Sequence, residues 1–299
     1  MTDMSHLSRQ TPDLPRNTRG REPLLPRPAL SVVVVLWLIM VGGPPSLWSQ
    51  ERSVAVEFLP DTRIFPRFTA DALTHQISLS HVTENRDWIG TIGASVPIIG
   101  VTTPSNGDFQ FSIAASTFNR LIKPPHGLTV YTIDYKVDFP FDYKIGTIAL
   151  RFGYGHYSCH FADDGIELLG KHSIQYIKDG LSLGGSYDIA FIGGYVYAMA
   201  QYNYHISPLA DKRWQLQLGA ECGNLRLSDF ARFYAAVDVK SKQDVSWGTT
   251  QSYQAGVKLF EKGNRDLRVA YTLRTGFEER GQFFNQEATV NLLSLFVDL

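Results

Sequence analysis

Cysteine is scarce: Cys159 and Cys222 are the two in a chain of 299 residues. Two thiols so far apart neither staple a small fold nor form a metal knuckle, and whether they pair stays open at this level. An excess of charge of one sign is missing as well. Lys and Arg number 28 against 29 Asp and Glu, a formal net charge of −1, and no basic stripe follows the leader. Nucleic acid is therefore excluded as an expected partner. Beyond Gln50 no apolar run approaches the roughly 18–20 residues of a membrane-crossing helix. The mature chain is thus neither a disulfide scaffold, nor a nucleic-acid binder, nor a helical membrane protein.

What is present begins with a leader. Arg9, Arg16, Arg19, Arg21 and Arg27 precede an apolar stretch from Ala29 to about Gly42, followed by Pro44, Pro45, Ser46 and Ser49. This is the layout of a secretory signal peptide, and its apolar core is too short to span a bilayer. No cysteine follows that core, which excludes lipoprotein attachment there. The expected organisation is a signal peptide over 1–49, a short periplasmic N-terminal segment over 50–72, and a membrane domain over 73–299.

Alternation dominates the membrane domain. Tyr131, Ile133, Tyr135, Val137, Phe139 and Phe141 are predicted on one strand face, with Thr132, Asp134, Lys136 and Asp138 on the other. The pattern returns at Ile148, Leu150, Phe152 and Tyr154, at Trp214, Leu216 and Leu218, and at Leu293, Leu295, Val297 and Leu299. Strands of about 10 residues, aromatic-rich apolar faces, and short Gly or Asn turns alternating with longer loops distinguish this from a soluble sandwich. The predicted fold is all-β: a transmembrane antiparallel outer-membrane β-barrel of about 12 strands, exported to the bacterial outer membrane. Its partners would be outer-membrane lipids and lipopolysaccharide, with the barrel-assembly machinery during insertion. Inward charges (Asp134, Lys136, Asp138, Arg151, Asp238, Lys240, Lys258, Arg268, Arg274) are of mixed sign and predict pairing across the lumen.

Four further stretches carry a resemblance. They are Leu59-Pro60 through Ile64-Phe65-Pro66 to Ala70-Asp71; Arg151 with His156, Ser158, His160 and Asp163; Ala236-Val237-Asp238-Val239-Lys240-Ser241; and Gly281-Gln282-Phe283-Phe284. Together they resemble the outer-membrane β-barrel family known as domain of unknown function 1207, over about Phe58 to Leu299. The resemblance implies fold and location, and no activity.

The sharpest chemical signal is His156, Ser158 and His160, which continue the lipid-facing row of Ile148 to Tyr154 because side chains repeat every second residue. A histidine two residues before a serine on the outside of a barrel resembles the arrangement in outer-membrane phospholipase A and the lipid A deacylase. That resemblance implies a lipid acyl hydrolase with Ser158 as nucleophile and His156 as base. Those enzymes carry a carboxylate or amide partner about a dozen residues after the serine, where this chain has Gly170. Glu167, Gln175, Asp163 and Asp164 stand nearby, and Glu167 is the acidic orienter expected. Arg151, inward on its strand, and His160 are expected binding residues, while Asp163 and Asp164 form an acidic loop pair suited to calcium. The alternative is a non-enzymatic structural barrel or a narrow pore. Gly180-Leu181-Ser182-Leu183-Gly184 matches a nucleophile elbow by letters, but alternation puts it within a strand, without the strand-turn-helix setting the motif needs.

Overall fold

The computed structural model describes residues 54–103, 107–122, 128–223 and 225–299. The expected signal peptide lies outside them. Fourteen strands form one sheet: β1 (Ala55–Phe58), β2 (Ile77–Val82), β3 (Trp88–Thr103), β4 (Gly107–Ile122), β5 (Thr129–Ile145), β6 (Ile148–Phe161), β7 (Tyr176–Ile189), β8 (Gly194–Ser207), β9 (Trp214–Cys222), β10 (Arg226–Ser228), β11 (Ala231–Lys242), β12 (Gly248–Lys262), β13 (Arg265–Phe277) and β14 (Glu287–Asp298). A short helix, α1 (Asp163–Leu169), interrupts the loop between β6 and β7.

Twelve of these strands close on themselves. Each pairs antiparallel with its neighbours, β9 reaching β11 directly, and the ring is sealed where β14 pairs with β2 and β2 and β4 both pair with β3. Closure leaves these twelve strands no free edge, the condition for strands to cross lipid with every backbone group satisfied. Outside the ring, β1 lies along the part of β3 that β2 does not cover, and β10 is a short flap on β11. At one end the turns are tight, with Gly146 and Gly263 at φ of 57° and 61° where a side chain would be strained. At the other end the connections are long.

The outer face is apolar and bare: Leu183, Leu218 and Leu293 are each more than half exposed. Such rows are stable only against lipid. The expected β5 face holds from Ile133 onward. At Tyr131 a bulge between β4 and β5 turns the ring inward, where it is buried beneath the Arg120 guanidinium at 5.2 Å.

The lumen is filled from both ends. Residues 60–76, of which the part up to 72 was expected in the periplasm, run inside the barrel, with Phe65, Thr69, Ala70 and Asp71 buried. They are held there because their polar groups meet the inward charges of the wall. Arg67 pairs with Asp298 at 2.7 Å, His75 with Asp138 at 2.8 Å, and Phe65 packs 4.2 Å from the Arg151 guanidinium. From the opposite end the β13–β14 loop, residues 278–286, folds inward with Glu278, Glu279, Arg280 and Gln282 buried. The two inserts meet on Lys240, whose ammonium bonds both Asp71 and Glu279, the latter at 2.8 Å. A cavity of about 150 Å³ remains between the insert and the wall. Some inward charges form ion pairs, Lys258 with Glu221 and Arg268 with Asp298 at 2.5 Å, while Asp134 and Asp238 accept from the Tyr157 and Tyr197 hydroxyls. Among the described residues both cysteines are free thiols, Cys159 buried and Cys222 exposed.

Replacing Lys240 by Met leaves Asp71 without its cation and Glu279 with Lys242 alone, and removing one partner of a buried ion pair costs about 3–5 kcal/mol. The barrel refolded in lipid vesicles should lose stability of that order in urea unfolding. A neutral change at the exposed Arg265–Asp61 pair should cost about 0–1 kcal/mol in the same assay.

The inserted loop also carries an acid-sensitive pair. Burial alone would raise the Glu278 carboxyl, but the Arg280 guanidinium at 2.6 Å overrides it and holds the group at about 2, below its ordinary 4.5. A depressed carboxyl stabilises the fold above its unfolded value, and that contribution is lost as pH falls from 4.5 through 2. Protease sensitivity of the loop should therefore rise over this window in the parent chain, with a smaller change in Glu278→Gln.

Candidate functional site

β6 presents two different surfaces. Ala149, Arg151, Tyr157, Cys159 and Phe161 point into the lumen, while Ile148, Leu150, Phe152, Tyr154, His156, Ser158 and His160 point out. The outward polar end is completed by its neighbours, since β7 places Asp179 beside His156 and β8 places His205 beside Asp179. A bulge in β8 next to that pair, with Tyr204 as the unmatched residue, leaves both Tyr204 and His205 exposed on the outside.

Asp179 is the centre of this cluster. Its Oδ1 accepts from His156 Nδ1 at 2.6 Å and from the Tyr154 hydroxyl at 3.2 Å, and its Oδ2 accepts from His205 Nδ1 at 2.7 Å. A carboxylate accepts only, so each imidazole carries its hydrogen on Nδ1, and each neutral ring keeps its lone pair on Nε2. The Tyr204 ring stacks on Tyr154, with centroids 6.4 Å apart. On the outer rows of β6, β7 and β8, Asp179 is the one carboxylate among Ile177, Leu181, Leu183, Phe152 and Leu150. A lipid-facing charge is costly, and three donors converge here to offset that cost.

The other expected residues fall elsewhere. Glu167 sits on α1 and makes no hydrogen bond or ion pair among the described residues; the carboxylate that reaches His156 is Asp179. Spacing missed it because α1 lengthens the hairpin, so that the register partner of His156 comes 23 residues later. The lone acid in the apolar row Ile177, Leu181, Leu183 was the available signal. Arg151, an expected binding residue, faces the lumen as alternation places it, forked onto Asp142 at 2.7 and 2.8 Å under Phe65. Its place on β6 makes it a clamp for the N-terminal insert. His160 stays on the outer face, its ring 6.2 Å from Tyr135. Asp163 and Asp164 occupy the first turn of α1, and among the described residues no group of three or more His, Cys, Asp or Glu is placed to hold a metal ion.

The inner surface braces the outer one. The Tyr157 hydroxyl donates to Asp134 at 2.6 Å and accepts from the Gly281 N–H at 3.2 Å, while the Gln282 amide donates to the carbonyls of Cys159 at 3.0 Å and Ile174 at 2.8 Å. Gln282 Oε1 also accepts the Ile174 N–H at 2.9 Å. The inserted loop therefore grips the residues on either side of Ser158 and the start of β7. Only glycine fits at 281, since a Cβ there would lie 2.4 Å from both Cys159 and Tyr176. In Gln282→Ala the Ile174 amide should exchange with solvent markedly faster, while amides near Gly146 keep their protection, as read by hydrogen–deuterium exchange.

A family model described as protein of unknown function, DUF1207, matches residues 62–295. No curated protein matches the chain. Among solved structures, the chain is similar to the calcium-bound dimeric outer membrane phospholipase of Salmonella typhi. Identity there is 10%, coverage 75% of this chain and 90% of that one, and the TM-score 0.48. It is also similar to the anion-selective porin of Comamonas acidovorans, at 8% identity, 82% and 98% coverage and a TM-score of 0.34.

Proposed function

The chain belongs to the DUF1207 family, and from that premise we propose that it is an outer-membrane lipid acyl hydrolase working on the outside of its barrel. The reading is carried by one observation: His156 Nδ1 bonds a carboxylate, Asp179, on the face where Ser158 follows two residues later. A serine hydroxyl is a weak nucleophile until an oriented imidazole takes its proton. With Asp179 holding Nδ1–H, Nε2 is the base available to Ser158.

The chemistry runs in two halves. Ser158 Oγ adds to a lipid ester carbonyl as its proton passes to His156 Nε2, and the departing alcohol takes that proton away. Water then attacks the acyl-serine, again giving a proton to His156, and the fatty acid leaves as the serine is restored. Asp179 orients the ring throughout and stabilises it when charged.

Location supports the substrate class. If the tight turns lie in the periplasm, as barrels of this type arrange them, the cluster sits in the half of β6 nearer the long loops, at outer-leaflet depth. A phospholipid or the acyl chains of lipopolysaccharide would reach it sideways through the membrane. The rival reading is a non-enzymatic structural barrel, and the two inserts in the lumen favour it over an open pore.

Release of fatty acid from phospholipid and from lipopolysaccharide by the refolded full chain, with and without calcium, tests this. Ser158→Ala and His156→Ala should fall to background, and Asp179→Asn should lose roughly 10²–10⁴-fold in kcat. Activity that survives in Ser158→Ala, or no release from either lipid, would remove the hydrolase reading and leave the structural one.

A further inference from the structure

Acyl transfer at Ser158 needs a donor that the backbone of a barrel strand is unable to supply. Within a sheet the main-chain N–H groups are committed to neighbouring strands. Ser158 pairs with Tyr135 of β5 on one side and Ile177 of β7 on the other, and both ladders continue past it to Phe161 and Cys159. No main-chain donor at Ser158 is free to meet the negative oxygen that develops as the serine adds to an ester. The donor has to be a side chain on the outer face.

Two outward groups, one across the sheet on β5 and one further along β6 from His156, flank Ser158. Tyr135 stands directly across from it, and His160 follows two residues later on the same row. Directly opposite residues bring their Cβ atoms to about 4.5–5.5 Å. Tyr135 is 43% exposed and its ring lies 6.2 Å from that of His160, tilted by 59°. Neither side chain makes a hydrogen bond or ion pair among the described residues, whereas Tyr154, His156 and His205 are each bonded to Asp179. An unengaged phenol beside the nucleophile, on the side of β6 away from Asp179, is placed to donate to an oxyanion.

Resting on the acyl-hydrolase reading, we propose that Tyr135 is a catalytic residue, the donor to the oxyanion, with the His160 ring keeping the phenol over Ser158. As the bond from Oγ to the ester carbon forms, the carbonyl electron pair moves onto oxygen and the Oγ proton moves to His156. Tyr135 keeps its own proton and strengthens its hydrogen bond to the negative oxygen. When the intermediate collapses the carbonyl re-forms, and the expelled alcohol takes the proton from His156. The group recognised is a neutral ester carbonyl, so the contact suits any acyl ester that places its carbonyl at this depth.

Tyr135→Phe removes one oxygen and keeps the ring against His160. In the refolded full chain with phospholipid vesicles, kcat should fall by about 10²–10³-fold while KM stays within about twofold. Labelling of Ser158 by a fluorophosphonate should slow in parallel, because that reaction also builds charge on an oxygen. Heat-modifiable gel mobility checks that the variant is folded. Ser158-dependent turnover that Tyr135→Phe retains within about threefold would overturn this inference and leave the hydrolase reading intact. Absence of any turnover that Ser158→Ala abolishes would overturn that reading, and this inference with it.

Discussion

The buried ammonium of Lys240 holds together segments that the chain keeps far apart. Asp71 belongs to the N-terminal insert, Lys240 to β11 and Glu279 to the β13–β14 loop, and their charges are buried together in the lumen. A charge removed from water requires a partner, and two carboxylates on one ammonium are stable only while both inserts are seated. Lys242 adds a second hold on the loop, reaching the Glu278 carbonyl at 3.0 Å. Charge matching therefore joins apolar burial, of Phe65 and Phe284 among others, in filling the lumen.

That constraint reaches the outer surface through a wall one strand thick. With the loop seated, Gly281 and Gln282 fall against Tyr157, Cys159 and Ile174, and the backbone around Ser158 is gripped from inside. Asp179 grips His156 from the side at 2.6 Å. A strand whose two faces are both committed is rigid. Rigidity would suit the catalytic pair proposed for His156 and Ser158. The β8 bulge serves the same cluster by turning His205 outward, so that both oxygens of Asp179 are engaged.

The residues that were legible in advance share a cause. Strand identity, the lipid-facing rows, and the outward place of His156 and Ser158 depend on a two-residue period, which is local. The departures from expectation are non-local. Tyr131 turns inward at a bulge set by register with β4, Asp179 reaches His156 across a hairpin lengthened by α1, and Arg151 is claimed by Asp142 and Phe65. Residues 60–72 fall in the segment expected in the periplasm, because the carboxylates and cations that draw the insert inside lie on β5, β11 and β14.

The sequence by itself determined a closed barrel with an apolar exterior, a charged interior and a histidine–serine row on its outer face. Alternation encodes which way each side chain points, and lipid tolerates only one answer. Only the tertiary structure decided which carboxylate serves the histidine, where the inward cations find their partners, and that the lumen is filled. Those outcomes depend on register between strands and on charges buried together from opposite ends of the chain, and no local period carries that information.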